Sequence, residues 1–355
     1  MADGRRVLIT GIAGQLAGLL AHALEARDDV AEIVGVDIRE PQHDLERTRF
    51  VRAALRNPIV AKLLADSEID TVVHLSTAAG PASVGGRARQ KELNVIGAMQ
   101  LFAACQNAPA LRRVVLKSTT AVYGADHTDP ALFREQDTPS VPPRHGFAKD
   151  ATEIEAYARG LGRRRDDIDL TILRFANFLG PSLDSAFHSM FTLPVVPSLL
   201  GFDPRLQFCH EQDAIDVLTR VVTEDHLGTF NVAGEGILYL SQCIRLAGRL
   251  AAPVPWPLTE LVAAGVQRTR RVDITPDQLG FLRHGRAVDT TRLREQLGFE
   301  PAYSTRAAFE DYVRRRRIHG LLDRDEVQEW RQEFQSYLQR KMQQRLLERR
   351  ASEAR

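Results

Sequence analysis

Cysteine and long apolar runs are the features this sequence has least of. Its 355 residues include three cysteines, Cys105, Cys209 and Cys243, which stand far apart. Such scarcity argues against a disulfide framework and against a cysteine metal site, and it is typical of a reducing cytosol. No run approaches the ~20 apolar residues of a membrane span, and no apolar secretory stretch precedes the first strand. We therefore expect a cytoplasmic protein without a bound metal.

An excess of charge of one sign is also lacking. The 47 basic and 46 acidic side chains nearly cancel, so no overall field attracts the chain to nucleic acid. The exception is local: an amphipathic helix is predicted from Asp323 to about Arg350, with a basic far end. We expect this helix to pack on its own protein or on a dimer partner, while a membrane or partner-protein contact stays open.

A glycine-rich turn near the start of the chain carries the clearest chemical signal. The apolar run Val7-Leu8-Ile9 leads into Gly11 and Gly14, and a helical pattern follows from Leu16 to Leu24. A strand that turns into a helix in this way presents free N–H groups at the positive end of the helix dipole, where a dinucleotide pyrophosphate binds. The predicted contacts are Gly11, Ile12, Ala13, Gly14, Gln15 and Leu16.

An acidic residue at the end of the next strand supports a dinucleotide. Asp37 closes the run from Glu32, about 20 residues after the glycines, where a carboxylate can hold the ribose hydroxyls. A carboxylate there repels a 2′-phosphate, so NAD is favoured over NADP. Ile38 and Arg39 belong to the same predicted contact, and Arg39 leaves acceptance of that phosphate open.

Apolar strands alternate with helical segments through the first half of the chain. This alternation predicts an α/β Rossmann-like, doubly wound parallel sheet, followed by a smaller substrate lobe and a C-terminal helix. The predicted boundaries are 1–177 for the NAD-binding domain, 178–320 mainly for the substrate lobe, with about 205–233 returning to the Rossmann domain, and 321–355 for the helix. A strand near Leu206 to His210 is expected to join the main sheet.

Several motifs occur in an order that is specific as a set. They are Val73-His74-Leu75-Ser76-Thr77, Asn94-Val95-Ile96-Gly97, Ser118-Thr119-Thr120-Ala121-Val122-Tyr123-Gly124, Gly146-Phe147-Ala148-Lys149, Leu173-Arg174-Phe175-Ala176-Asn177 with Gly180-Pro181, and Phe208-Cys209-His210. With the glycine turn, these motifs make residues 5 to 315 resemble an extended short-chain dehydrogenase/reductase of the NAD-dependent epimerase/dehydratase family. UDP-sugar 4-epimerases belong to that family.

The resemblance implies roles for individual residues. Thr119 would hydrogen-bond the reacting oxygen of the substrate, and Lys149 would lower the pKa of a catalytic base and bind the nicotinamide ribose. Further cofactor contacts would come from Leu75, Ser76, Thr77, Asn94 and Phe175, and substrate contacts from Asn177 and Arg205. A homodimer formed by the helices that begin near Asn94 and Lys149 is also implied.

The catalytic tyrosine of the family is missing. Four residues before Lys149 stands His145, while the aromatic Phe147 has no hydroxyl. An imidazole with an ordinary pKa of about 6.5 is a competent base near neutral pH, so His145 is one candidate for the base. Alternatively, His145 is a polar residue at a helix entrance. The phenol of Tyr123 is assigned a structural role.

Two smaller departures concern ligand contacts. Ala54 stands where the family has an aspartate that contacts adenine, which removes one hydrogen bond worth ~1 kcal/mol. Leu206 occupies the position of a diphosphate-binding arginine, and Arg205 lies one residue early, where a strand presents the opposite face.

Three functions are consistent with these residues. The first is an NAD-dependent sugar-nucleotide epimerase or dehydratase that removes a hydride and returns it. The second is an NAD-binding scaffold or sensor that has lost catalysis. The third is an NAD(H)-dependent dehydrogenase or reductase that acts on a carbonyl or alcohol other than a sugar.

Overall fold

The computed structural model describes residues 4–66, 68–80, 84–183, 185–191, 193–255 and 276–316, together with residues 332, 335–337 and 340. Its strands are β1 (Arg5–Thr10), β2 (Val30–Asp37), β3 (Thr48–Arg52), β4 (Thr71–His74), β5 (Arg113–Thr119), β6 (Asp169–Phe175), β7 (Asn177–Leu179), β8 (Val195–Leu199), β9 (Arg205–Leu206), β10 (Phe208–His210), β11 (Gly228–Val232), β12 (Leu238–Tyr239) and β13 (Leu250–Val254).

Helices connect these strands. They are α1 (Gln15–Glu25), α2 (Pro58–Asp66), α3 (Arg87–Lys91), α4 (Gly97–Gln106), α5 (Gly146–Arg164), α6 (Ala186–Phe191), α7 (Glu211–Thr223), α8 (Leu240–Leu246), α9 (Pro276–His284), α10 (Thr291–Glu295) and α11 (Thr305–Arg315). A π-helical turn over Glu92–Ile96 joins α3 to α4, and a 3₁₀ turn over Thr120–Tyr123 follows β5.

Seven parallel strands form the central sheet, in the order β11-β6-β5-β4-β1-β2-β3. The chain therefore runs outward from β1 in one direction and then outward from β4 in the other, which is the doubly wound Rossmann arrangement. The predicted fold class is confirmed. The strand order reverses between β1 and β4, and a ligand crevice is expected at the carboxyl ends of those strands.

Helices cover both faces of this sheet, as buried parallel strands require. On one face, apolar side chains of α1 and α7 such as Leu20 and Leu218 pack on Ile9, Val73 and Val115. The other face is covered by α2, α4 and α5, which pack on a separate set of strand side chains. Alternation along each strand thus divides the core in two.

The strand pairing near residue 206 differs from the prediction. Arg205–Leu206 pairs with Leu238–Tyr239, and Phe208–His210 pairs with Asn177–Leu179, so this segment does not join the main sheet. Gln207 separates these strands of two and three residues, and its amide donates to the carbonyls of Gly234 and Val288. The chain instead returns to the sheet through α7 and β11.

The segments outside the main sheet share an aromatic core of their own. Phe187, Phe191, Phe208 and Phe309 pack against one another in this core, with ring centroids 5.0–6.3 Å apart. Most of residues 317–355, where the amphipathic C-terminal helix is predicted, lie outside the described residues. No helix among the described residues has both the length and the apolarity needed to cross a bilayer.

Candidate active site

The glycine turn after β1 adopts a conformation that requires glycine. Gly11 has a φ of +75°, and a Cβ at this position would lie 2.8 Å from the backbone Cα of Ser76. The left-handed backbone and the lack of space both exclude a side chain. The turn therefore brings the ends of β1 and β4 into close contact and leaves its backbone open to a ligand.

Helix α1 begins directly after this turn with its first N–H groups available. Gly14 is the N-cap, and no side chain caps the helix. Asp37 closes the other side of the turn, because its carboxylate accepts hydrogen bonds from the backbone N–H groups of Ala13 at 3.2 Å and Arg39 at 3.0 Å. An uncapped helix start beside an acid at the end of β2 fits the diphosphate and the ribose of a dinucleotide.

A cavity of about 1340 Å³ extends from this turn across the carboxyl ends of the strands. Its volume exceeds the 300–1,000 Å³ of most small-molecule sites, so it has room for a dinucleotide and a second ligand. The predicted site residues in its lining are Gly11, Gly14, Gln15, Leu16, Asp37, Ile38, Arg39, Leu75, Ser76, Thr77, Asn94, Thr119, His145, Phe175 and Asn177. Ile12 is buried beneath the turn.

Thr119 is the last residue of β5 and lines the cavity. Its Oγ1 accepts a hydrogen bond from the N–H of Ala121 at 3.2 Å, which leaves the hydroxyl proton free to be donated to a ligand. The preceding Ser118 points to the opposite face and donates to buried Glu155 at 2.6 Å. Arg174 binds the same carboxylate at 2.7 and 2.9 Å. This buried network fixes the end of β5 that presents Thr119.

The start of α5 contributes His145 but not the ammonium of Lys149. His145 is the N-cap residue of α5, with extended backbone, and its exposed side chain lines the cavity. Lys149 lies outside the described lining, and its Nζ is 3.7 Å from a carboxylate oxygen of Glu153. The Lys149 side chain is 42% exposed, and such a surface pair is worth only about 0–1 kcal/mol.

Asn94 lies in the π-helical turn and holds a loop of the cavity wall. Its amide exchanges two hydrogen bonds with the backbone of Ala78, at 2.8 and 3.0 Å, and donates to buried Asp150 at 3.3 Å. Arg87 binds the Asp150 carboxylate through both terminal nitrogens at 2.6 Å. Asn94 therefore connects the loop after β4 to α5, although it also lines the cavity.

The predicted substrate contact of Arg205 is not brought into the cavity. Leu206 is fully buried, so Arg205 faces the other side of β9, and its guanidinium donates to the carbonyl of Ala131 at 3.0 Å. The arginine that does line the cavity on this side is Arg286. Its backbone N–H donates to the carbonyl of Arg205, and its guanidinium stands over the ring of Phe281 at 5.0 Å.

Arg286 and Lys117 are among the cations of the lining that were not identified from the sequence. Arg286 had no motif signal, because its position depends on pairing between Gly285 and Arg205, far apart in the chain. Lys117 had one: it stands two residues before Thr119 in an apolar strand, so alternation places both side chains on the same face. Burial lowers the pKa of the Lys117 ammonium to about 8.

Tyr123 does not replace the missing tyrosine. It is 1% exposed and donates a hydrogen bond to Asn231 at 2.8 Å, while Arg174 donates to its oxygen at 2.8 Å. Burial raises the pKa of the Tyr123 phenol, which makes it a poorer base. Among the described residues of the lining there is no tyrosine, and His145 is the imidazole.

Known proteins resemble this chain in both sequence and structure. An uncharacterized protein of Mycobacterium tuberculosis (strain ATCC 25618 / H37Rv) is 45% identical over 332 residues, which are 91% of this chain and 87% of that protein. UDP-glucuronic acid decarboxylase 1 of Arabidopsis thaliana is 24% identical, over 85% of this chain and 67% of its own. UDP-glucose 4-epimerase of Thermotoga maritima, solved with UDP-glucose, superposes with a TM-score of 0.68 at 17% identity, over 88% and 98% of the two chains.

The sequence model of one family covers residues 7–233, more than half of the chain. That range includes the glycine turn, Asp37, Thr119 and Lys149, the residues that carried the resemblance in the sequence. The chain belongs to the NAD dependent epimerase/dehydratase family, and NAD is its cofactor.

Proposed function

We propose that this protein is an NAD-dependent sugar-nucleotide epimerase or dehydratase. The observation that carries the proposal is the position of Thr119, which lines the cavity that begins at the glycine turn and whose hydroxyl can still donate its proton. Bound NAD supplies the oxidation of a sugar carbinol carbon and the later return of the hydride. The relatives named above act on or bind UDP-glucuronic acid and UDP-glucose.

Thr119 and His145 divide the proton chemistry in this proposal. Thr119 donates a hydrogen bond to the reacting hydroxyl oxygen, which holds that oxygen and stabilises it as it becomes a carbonyl. His145, the imidazole of the described lining, accepts the hydroxyl proton. When the hydride returns to the sugar, the imidazolium gives the proton back, so no proton is gained or lost overall.

Lys149 acts from the same helix. It lies four residues after His145, one turn further along α5. Entry of the Lys149 ammonium into the cavity requires only the loss of its exposed pair with Glu153, which costs about 0–1 kcal/mol. Its predicted contact with the nicotinamide ribose also depends on that movement.

Asn177 and Arg286 are proposed to hold the nucleotide-sugar. Asn177 follows β6 at the cavity wall and offers an amide to the substrate. Arg286 also lines the cavity, and its guanidinium, which donates to the carbonyl of Gly124, carries the charge that suits the diphosphate joining nucleotide and sugar. Arg205 is not part of this contact, because it lies outside the described cavity lining and binds the carbonyl of Ala131.

The test is conversion of nucleotide-sugars by the NAD-loaded protein. UDP-glucose, UDP-galactose, UDP-N-acetylglucosamine and UDP-glucuronic acid are incubated separately, and the products are separated by chromatography and identified by NMR. Thr119→Val removes the hydroxyl and is expected to lower kcat about 100-fold or more, whereas Thr119→Ser keeps it and serves as the matched control. Equal activity of both variants would contradict the role of Thr119.

A scaffold or sensor function is the second candidate, and the absence of a tyrosine from the described cavity lining favours it. It predicts NAD binding without conversion of any nucleotide-sugar. Net oxidation of NADH by a carbonyl compound in the same assay would instead indicate a reductase for another substrate.

A cytoplasmic homodimer belongs to the same proposal. Ile96 beside α4 and Tyr157 on α5 are apolar side chains with 38% and 37% exposure, on the helices from which the sequence predicts the dimer contact. Sedimentation of the native chain and of Tyr157→Arg measures this: the native chain is expected at twice the monomer mass and the variant at less. A monomeric native chain would contradict it.

A further inference from the structure

Lys117 is a charged residue in the apolar wall of the central sheet. Its register partner on β6 is Leu173, which lies in the same core cluster as Val115 and Phe175. Helix α1 packs on this cluster, so the Lys117 stem emerges on the face of the sheet that α1 covers. The neighbours Leu116 and Ser118 are buried on the opposite face. Lys117 therefore reaches the cavity from the face of the sheet that α1 covers, among apolar side chains.

No described residue neutralises this ammonium. Neither a hydrogen bond nor an ion pair joins Lys117 to another residue of the described chain, and burial is what lowers its pKa. The acids of the described cavity lining have other partners: Asp37 holds the glycine turn, Glu92 pairs with Arg56, and Asp126 binds Thr128. An unpaired charge in apolar surroundings is costly unless a ligand of opposite charge completes it.

The register of the strands gives the height of Lys117 in the cavity. Leu116 is level with His74 on β4, and His74 is level with Thr10 on β1. Lys117 therefore follows at the level of Gly11, the residue that opens the glycine turn. One strand separates β5 from β1, which places their backbones about 10 Å apart, and the flexible four-carbon stem of a lysine covers much of that distance.

We propose that Lys117 is the counter-ion of the NAD diphosphate, facing the uncapped start of helix α1 from the other side of the cavity. The N–H groups of α1 bind the diphosphate from one side and the ammonium from the other. The inference rests on the NAD site of the proposed function, and it does not depend on the identity of the sugar.

Charge favours the diphosphate over the reacting end of the cofactor. Oxidised nicotinamide carries a positive charge, which repels an ammonium, whereas the diphosphate carries the negative charges of the dinucleotide. Thr119 lies two residues further along β5, toward the carboxyl end where the sugar reacts. Lys117 is thus set deeper than the chemistry, at the level of the glycine turn.

The experiment measures binding rather than activity. Isothermal titration gives the Kd of NAD, ADP-ribose and adenosine for the native chain, Lys117→Met and Lys117→Arg. Lys117→Met is expected to lower the affinities for NAD and for ADP-ribose by the same factor of about 10 to 100, which corresponds to one charge-assisted contact. The affinity for adenosine is expected to stay unchanged. Lys117→Arg is expected to recover part of the loss.

Two controls separate a lost ligand contact from damage to the fold. Lys62→Met changes an exposed lysine of α2 and is expected to leave all three affinities unchanged. Without ligand, Lys117→Met is expected to melt at the native temperature or above, because the substitution removes an unpaired charge from an apolar wall. Lys117→Gln replaces the Met variant in the titrations if that variant does not fold.

Other outcomes overturn the proposal or separate it from the proposed reaction. Unchanged NAD and ADP-ribose affinity together with lost turnover would make Lys117 a base that acts on the sugar. A lower affinity for NAD with an unchanged affinity for ADP-ribose would place Lys117 at the nicotinamide. If the native chain itself fails to bind NAD, the cofactor site fails; if it binds NAD and converts no sugar, only the proposed reaction fails and the role of Lys117 stands.

Discussion

The two halves of the cavity are built in different ways. Around β1, α1 and β2 the cavity is bordered by backbone groups: the turn at Gly11, the uncapped N–H groups of α1 and the peptides held by Asp37. Around β5 and α5 the cavity is lined by side chains, among them those of Thr119, His145 and Lys117. The first half can therefore stay constant while the second half changes its chemistry.

The difference shows which properties of the site a sequence can lose. A site built from backbone groups depends on the conformation of the chain, so only one or two positions in it must be glycine. A side-chain site depends on the chemical identity of each residue, and here the tyrosine is replaced and a lysine stands within a strand. NAD binding is consequently the firmer property of this chain, and the base is the residue that most needs a test.

Loss of the buried network under Thr119 is expected to have the largest effect on stability. Arg174→Met leaves the Glu155 carboxylate, with a side chain 6% exposed, without its main partner. Breaking such a pair costs about 3–5 kcal/mol, to be measured as the free energy of unfolding in urea. Arg306→Met, which breaks an exposed pair with Glu310 on a surface helix, is the control and should cost less than about 1 kcal/mol. Similar costs for both variants would show that the network does not support the catalytic half.

The same network predicts a dependence on pH. Burial by itself would raise the pKa of Glu155, but Arg174 and Ser118 outweigh it and bring that pKa below its ordinary value. A carboxylate whose pKa is lower in the folded protein stabilises the fold at pH values above its pKa in the unfolded chain, about 4.5. This contribution to the free energy of unfolding is lost as the pH falls below that value. Unfolding measured from about pH 6 to about pH 3 should show a smaller decline in Glu155→Gln than in the native chain.

Gly11→Ala tests the backbone half. The positive φ costs a side chain about 1–3 kcal/mol, and the new Cβ meets the backbone at Ser76. We expect NAD affinity, measured by titration, to fall about 10- to 100-fold. Gly162→Ala on α5 is the control: its Cβ would be 3.4 Å from Leu170, an ordinary contact, so binding should not change and stability should rise by up to about 1 kcal/mol. Native affinity in Gly11→Ala would show that the turn does not approach the cofactor.

The fold was predictable because its signals are local. The strand, turn and helix from Arg5 to Glu25 and the acid at Asp37 lie within about 30 residues, and the alternation of apolar runs determined the parallel sheet. The pairing near residue 206 was predicted wrongly. There, the pairing of two strands of two and three residues depends on contacts with residues far away in sequence, such as Gly234 and Val288.

The site was predictable only where a motif fixes a residue on an element. Thr119 is the last residue of β5 and Asn177 lies two residues beyond the end of β6, and both line the cavity. Arg286 depends on a bridge between Gly285 and Arg205 and carries no local signal. Lys117 carried a signal in the alternation of β5, but a lone lysine in an apolar strand has no assigned chemistry until its neighbours are known.

Substitution of Lys149 is expected to have the smallest effect on stability, and it separates the role of this lysine from that of Lys117. Its exposed pair with Glu153 contributes little, so Lys149→Met should change the free energy of unfolding by less than about 0.5 kcal/mol. Because the stability is unaffected, a fall in kcat would report on the chemistry alone. We expect kcat to fall about 10-fold or more, with a smaller loss of NAD affinity than Lys117→Met causes. Unchanged kcat would remove Lys149 from the mechanism, and an equal loss of NAD affinity in the two variants would remove the contrast between the lysines.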